Sequence, residues 1–250
     1  MMSRFFRLAS LALGIAASGL APASANGFVV GFVITPAGPA FTELADAYGK
    51  KHPGTTIKIL PASSKIIIDN LNRDLSDDFV VLGQQWTGNA PRLSDPERVM
   101  TTRTIIVLAP GAKGKIASPA DLAAHGIRLG NGSAGSGTEA LMNATLDRLG
   151  AKYGGDFEAR AKANIVFTRV QNTQLTAALK DDKIDATIIY PADADNAGLD
   201  TLDLGDASVP VTEVGAIVKG SANAATVKDF FAFVRSPQGE AILKRHHFDP

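Results

Sequence analysis

Short apolar runs alternate with stretches whose apolar residues recur every three or four positions. This alternation, unbroken from residue 28 to the end of the chain, constrains the fold more than any other feature. Residues 28–34, 56–60, 79–82, 104–109, 127–129, 165–170, 186–190 and 214–218 read as strands. After the first of them, Phe41, Leu44, Ala45 and Tyr48 fall on one face of a helix. Glu43 and Asp46 lie early in that helix and Lys50, Lys51 and His52 late, as its dipole favours, and Pro53-Gly54 stops it. Further helices are expected near 65–73, which Ser63 or Ser64 can cap, and at 138–149, 173–180 and 224–234. Another starts at Ser118-Pro119-Ala120-Asp121, which joins a capping hydroxyl to a proline at the first helical position and an acid in the first turn; a last one opens at Ser236-Pro237. Strand–helix alternation predicts an α/β fold with a mostly parallel sheet and helices on both faces. The chain has no internal repeat and no linker rich in Pro or Ser, so two lobes joined by crossing strands are expected. With crossings near 104–109 and 209–214, lobe I comprises residues 26–108 plus 211–250 and lobe II residues 109–210.

Residues 1–25 stand apart from this pattern. Arg4 and Arg7 precede an apolar stretch at 8–20, and Ala23-Ser24-Ala25 ends it with small residues, the order of a secretory signal peptide. Gly14, Gly19 and Pro22 would spoil a core helix there. Cleavage would leave a chain beginning at Asn26, and the loss of two arginines and no acid would move the formal net charge from 0 to −2. No cysteine follows to carry a lipid. The expectation is export to the periplasm, with no 18-residue apolar run to embed the chain in a membrane.

Composition removes several kinds of chemistry. Zero cysteine excludes disulfides, thiolate nucleophiles, iron–sulfur clusters and Cys-based zinc sites. A balance of 25 Lys+Arg against 25 Asp+Glu argues against binding nucleic acid by neutralising phosphates. There is no G-x-S-x-G elbow and no serine followed three residues later by lysine, so the common serine-hydrolase and β-lactamase patterns are absent and no catalytic residues are assigned. His246-His247 could bind a metal but reads better as a solvated helix end. Asp193-Ala194-Asp195-Asn196-Ala197-Gly198 starts like a calcium loop, which Ala197 and Leu204 break. Asp181, Asp182 and Asp185 read as a solvated turn. No metal and no cofactor is expected.

The most informative local pattern is Gly130-Asn131-Gly132-Ser133-Ala134-Gly135-Ser136-Gly137-Thr138, which follows a strand and opens a helix. It formally matches G-x-G-x-x-G, but the acid expected at the end of the next strand is missing, since Asp156 and Glu158 precede the strand at 165. A flexible glycine turn is the plain reading. A cradle that aims backbone N–H groups and a helix N-terminus at a small anion is the preferred one. Ala62-Ser63-Ser64 repeats the strand, hydroxyl turn and helix start, and Ser64 reads equally as an N-cap and as a ligand contact. Thr35-Pro36-Ala37-Gly38-Pro39-Ala40 is a third such turn. Three of these converging at strand carboxyl ends would form a ligand site of the kind open α/β folds use. Trp86 and Tyr190 are the aromatics nearest that cleft, with core packing as the alternative for both.

Several stretches resemble periplasmic solute-binding proteins of ABC importers, in particular the molybdate-binding family and the accessory colonization factor group. Ala62-Ser63-Ser64, then Asp78-Phe79-Val80-Val81-Leu82 and Gln85-Trp86, is similar to the serine turn, "ADVF" strand and "QKW" of the molybdate binders. Leu93-Ser94-Asp95-Pro96, the run from Arg103 to Pro110, Ile189-Tyr190-Pro191-Ala192-Asp193 and Ser236-Pro237-Gln238-Gly239-Glu240-Ala241 follow that family's order. Pro36 stands where molybdate binders carry a ligand serine, and Gly135-Ser136-Gly137-Thr138 replaces their "PAG" turn; both resemble the accessory colonization factor group instead. The resemblance implies a two-lobed periplasmic binding protein type II fold with a hinge and an interlobe cleft, and a binding function without catalysis. It implies capture of a small oxyanion of the molybdate, tungstate or sulfate class for an ABC-transporter permease. The alternatives are a small carboxylated or phosphorylated acid, or a metal cation. The expected ligand contacts are Thr35, Ser63, Ser64, Ser136, Gly137, Thr138 and Tyr190.

Overall fold

A computed structural model describes residues 27–73, 78–94 and 96–250. The expected signal peptide at 1–25 lies outside the described residues. In chain order the elements begin with β1 (Phe28–Ile34), α1 (Gly38–Lys51), β2 (Thr56–Ala62), α2 (Ser64–Asn72), β3 (Phe79–Gly83) and β4 (Glu97–Arg103). They continue through β5 (Ile105–Leu108), β6 (Leu129–Gly132), α3 (Gly137–Tyr153), α4 (Phe157–Ala163), β7 (Ile165–Arg169), α5 (Asn172–Lys180), β8 (Ala186–Ile189) and α6 (Pro191–Ala197). The last are β9 (Thr201–Leu202), β10 (Pro210–Ile217), α7 (Ala224–Val234) and α8 (Pro237–Arg245).

These strands form two five-stranded sheets, ordered β2-β1-β3-β10-β4 and β7-β6-β8-β5-β9, so the fold is α/β with two lobes. Neither sheet is mostly parallel, contrary to the sequence expectation. β1 runs parallel to β2 and β3, but β10 is antiparallel to β3 and β4. Likewise β6 is parallel to β7 and β8, while β5 is antiparallel to β8 and β9. The reason is the crossing itself. The chain leaves the first sheet along β4 into β5 and returns from β9 into β10, so outgoing and returning strands lie side by side in opposite directions.

The first crossing is at Thr104, fully buried between β4 and β5. Its N–H donates to the Val209 carbonyl at 3.0 Å, its Oγ1 accepts from the Val209 N–H at 2.8 Å, and its carbonyl accepts from Ser208 Oγ at 2.6 Å. The two crossings are therefore strapped to each other at one point. Residues 105–108, grouped with lobe I from the sequence, hydrogen-bond within the second sheet.

Each sheet has its own apolar core. The first gathers Phe41, Leu44, Phe79, Phe230 and Phe248, with the Phe79 and Phe230 rings 5.6 Å apart. The second gathers Ile106, Leu122, Met142, Leu146, Leu175 and Ile188. Local expectations fail at a few places. Residues Pro119–Ala123 form a 3-10 turn rather than a longer helix, although the first-turn acid does close it, Asp121 Oδ2 accepting from the Ser118 N–H at 2.8 Å and from Ser118 Oγ at 3.1 Å. The stretch whose calcium-loop pattern Ala197 and Leu204 break is helix α6, started by Pro191 and ended by Gly198 in the left-handed region at φ 63°. Asp185 is no solvated turn residue: it is 1% exposed and accepts from Lys115 Nζ at 2.9 Å and from the Arg128 guanidinium, which hold its carboxyl well below the usual range against burial.

A cavity at the carboxyl ends of six parallel strands

The turns after β1, β2 and β3 in the first sheet, and after β6, β7 and β8 in the second, meet around one cavity, with Glu213 of β10 completing the wall. Its volume of about 50 Å³ suits a group the size of a few water molecules. Thr35, Ser63, Ser64, Ser136, Gly137, Thr138 and Tyr190 all line it. Trp86 faces it as well, and its Nε1 stands 3.5 Å from where a Cβ on Gly137 would sit, which brings the two lobes within contact across the cavity.

Ser63 is the N-cap of α2 and Ser136 that of α3; their Oγ atoms accept from the N–H groups of Ile66 at 3.4 Å and Glu139 at 3.1 Å. Ser64 is therefore not the cap; it opens the helix, and its Oγ accepts from the Gly83 N–H at 3.4 Å. Since all three hydroxyls accept from backbone, each keeps its hydrogen to donate. The N–H groups at the start of a helix have no carbonyl one turn earlier to bind, so α2 and α3 both point unpaired donors and the positive end of a dipole at the cavity. The glycine pattern ahead of α3 has a packing cause. A Cβ on Gly130 would meet Ile184 Cδ1 at 2.4 Å, and one on Gly132 would meet Ser136 Oγ at 2.2 Å. Only bare backbone lets β6 approach the start of α3 this closely.

Thr138 behaves differently from the serines. Its Oγ1 donates to Asn172 Oδ1 at 2.7 Å, and Asn172 Nδ2 donates to Asp193 Oδ2 at 2.8 Å. The Tyr190 N–H donates to the same Oδ2 at 3.2 Å, which keeps that oxygen an acceptor and fixes the amide orientation of Asn172. The Thr138 hydroxyl has spent its hydrogen, so toward the cavity it offers only lone pairs, beside the N–H of its backbone. Asp193, 4% exposed, is pushed up to about 7 by burial, against the hydrogen bonds from Asn172 and Tyr190 that favour its charge.

Sequence reasoning missed Lys65, Gln85, Asn172 and Glu213, which also line the cavity. Lys65 sits in a helix first turn next to the serine turn already singled out, and Asn172 opens α5 after a turn that carried no such signal. Glu213 had a visible signal, an acid inside an apolar strand pattern between Val211 and Val214. It is 1% exposed, its Oε2 has no hydrogen-bond partner among the described residues, and burial pushes its carboxyl up to about 8 against a hydrogen bond from Tyr190 that favours its charge. The Tyr190 hydroxyl beside it is in turn raised well above its ordinary value, by burial first and then by Glu213 and Asp193. Thr35 Oγ1, on the same wall, likewise lacks a partner among the described residues. Among the described residues no group of three His, Asp or Glu is placed to hold a metal ion; His246 Nε2 instead lies 2.9 Å from Glu43 Oε2. No helix among them is long and apolar enough to cross a membrane.

No curated protein matches the chain. Solved structures similar to it include Peb3 of Campylobacter jejuni. In the form bound to L-phospholactate, Peb3 has a TM-score of 0.75 and 15% identity, covering 89% of this chain and 99% of that one. The periplasmic molybdate-binding protein of Azotobacter vinelandii gives 0.73 and 15%, with coverages of 89% and 99%. The sulfate-binding protein SubI of Mycobacterium tuberculosis H37Rv gives 0.72 and 14%, with coverages of 89% and 86%. At these identities the likeness is one of fold, and it is the two-lobed binding-protein fold. The family described as bacterial extracellular solute-binding protein matches residues 32–249, and the chain belongs to that family.

Proposed function

We propose that the chain is an exported binding protein that captures a small oxyanion of the molybdate, tungstate or sulfate class between its lobes. It hands the anion to the membrane permease of an ABC importer from the periplasm, after removal of residues 1–25 as a signal peptide. The observation that carries this reading is the meeting of two helix N-termini and the Ser63, Ser64 and Ser136 hydroxyls in one cavity of about 50 Å³. Donors of this kind hold a dianion without an arginine, because a hydrogen bond to a charged acceptor is roughly twice as strong as a neutral one. Thr35 and Tyr190 add hydroxyls, and Gly137 and Thr138 add N–H groups. Closure of the lobes about the strap at Thr104 excludes water and strengthens each bond. No group acts as a nucleophile or base, and no cofactor or metal is needed.

A second reading, a small carboxylated or phosphorylated acid, is favoured by the Thr138 hydroxyl, which faces the cavity as an acceptor and suits a ligand with its own O–H. Calorimetric titration of the ligand-stripped protein against molybdate, tungstate, sulfate, phosphate, citrate and L-phospholactate separates the two. Micromolar or tighter 1:1 binding of one of the first three supports the oxyanion. Binding of an organic acid alone transfers the site to the second reading, and silence across the panel removes both.

A further inference from the structure

Glu213 is an acid on the wall of a cavity read as an anion site, and two negative charges do not share so small a space. Its position is not negotiable. β10 holds it in register with Gly83 of β3 and Met100 of β4, inside the first sheet. The residue is 1% exposed, and Oε2 has no partner among the described residues. The groups that face it are few: the Tyr190 hydroxyl from the start of α6, Lys65 from α2 across the cavity, and the Asp193 carboxyl behind Tyr190. Lys65 does not neutralise it, since Lys65 Nζ is paired with Asp69 Oδ2 at 3.0 Å. With only the Tyr190 hydroxyl to favour its charge, an ionised Glu213 would be a buried carboxylate without a cation, facing an incoming anion, whereas a protonated one is a hydrogen-bond donor in a wall of donors.

We propose that Glu213 contacts the bound anion in its neutral form, donating its carboxyl hydrogen to an anion oxygen, so that the complex carries one proton shared between protein and ligand. This rests on the oxyanion reading of the cavity and deepens it. No bond in the ligand breaks. Where Glu213 is already protonated, capture takes up no proton; where it is ionised, each anion bound draws one proton from solvent. Burial holds the free carboxyl at about 8. Affinity for a fully deprotonated anion is thus level below about pH 8 and falls about tenfold for each unit above it.

Molybdate, tungstate and sulfate are suitable probes, since none titrates between about pH 6 and about pH 10. For the wild type, calorimetry should give a level affinity up to about pH 8 and a loss of about 100-fold by about pH 10. At about pH 9, heats measured in buffers of different ionisation enthalpy should report uptake of nearly one proton per anion. Glu213→Gln keeps a donor of the same shape without the titration. It should bind within about threefold of wild type at neutral pH and stay level to about pH 10. Identical pH profiles for the two proteins would overturn the proposal, as would a more than about tenfold gain in affinity for Glu213→Gln at neutral pH. The buffer measurement uses wild type alone, so zero proton uptake overturns it even if the variant does not fold. If none of the three anions binds either protein at any pH, the oxyanion reading itself falls and takes this inference with it.

Discussion

Lobe I and lobe II each bring a strand, a hydroxyl turn and a helix N-terminus to the cavity, β2 into Ser63-Ser64 and α2 on one side, β6 into Ser136 and α3 on the other. Behind that shared device they differ. In lobe II the polar groups are bonded to each other: Thr138 to Asn172, Asn172 to Asp193, and the Tyr190 N–H to the same carboxyl. In lobe I two polar atoms on the wall, Thr35 Oγ1 and Glu213 Oε2, have no partner among the described residues. A buried polar group left unpaired costs about 1–3 kcal/mol. Lobe II is therefore a finished half-site whose shape its own hydrogen bonds maintain, and lobe I is the half whose bonds a ligand completes. A binding protein gains from this division, because a preset surface orients the anion and an unfinished one rewards closure over it.

The largest test places a charge in each half. Asp caps a helix as well as Ser does, so Ser63→Asp and Ser136→Asp should fold with little change in Tm while setting a carboxylate against the anion. Each should weaken binding by at least about 100-fold, about 2.7 kcal/mol. A loss confined to one of the pair would show that only that lobe touches the ligand. A weaker perturbation, Ser64→Ala combined with Thr138→Ala, should cost at least about tenfold, about 1.4 kcal/mol, by the same titration.

Two isosteric changes sharpen the contrast further. Thr35→Val removes an unpaired hydroxyl, so it should raise stability by up to about 1 kcal/mol in urea unfolding while lowering affinity about tenfold. Thr138→Val breaks the chain to Asn172, so it should lower stability by about 1 kcal/mol and change affinity by less than about threefold, since the Thr138 N–H stays in place. The opposite pattern would erase the distinction between the lobes.

The smallest effect is on stability against pH. Asp193 and Glu213 are held above their ordinary values, at about 7 and about 8, so the unfolded chain releases these protons before the folded one does. Between about pH 4 and about pH 8 the folded state binds more protons, and its stability falls as pH rises through that window. Tm should drop by about 3 °C or more from about pH 5 to about pH 8, and Asp193→Asn and Glu213→Gln should each flatten part of that slope. A Tm that rises over this range would contradict the burial of both carboxyls in neutral form.

The turns that make the site were legible in the sequence because caps and strand ends are local. Ser63 follows an apolar run and reads as a cap, the glycine-rich turn that holds Ser136 reads as opening a helix, and the structure brings both to the cavity. What the sequence hid is what depends on distant partners. β4 carries Glu97, Arg98 and Arg103 at its ends and shows no plain alternation, although Val99, Met100 and Thr102 are buried in it. Strand direction in β5 and β10 follows from the chain's return path, which no local pattern records. That the Thr138 hydroxyl is committed to Asn172 depends on residues 34 positions apart, and the burial of Glu213 is a property of three elements at once. The Asp193 stretch looked like a calcium loop because acids and small polar residues also suit a helix first turn, which is what they form.

Anomalous diffraction from crystals grown with tungstate tests most directly whether one oxyanion is held by both lobes at once. A single tungsten peak in the cavity, within about 5 Å of both Ser64 Oγ and Ser136 Oγ, is the result predicted, since a tungsten–oxygen bond and one hydrogen bond span that distance. A peak resting on one lobe only, a peak elsewhere, or none at a tungstate concentration well above the measured Kd, would contradict it.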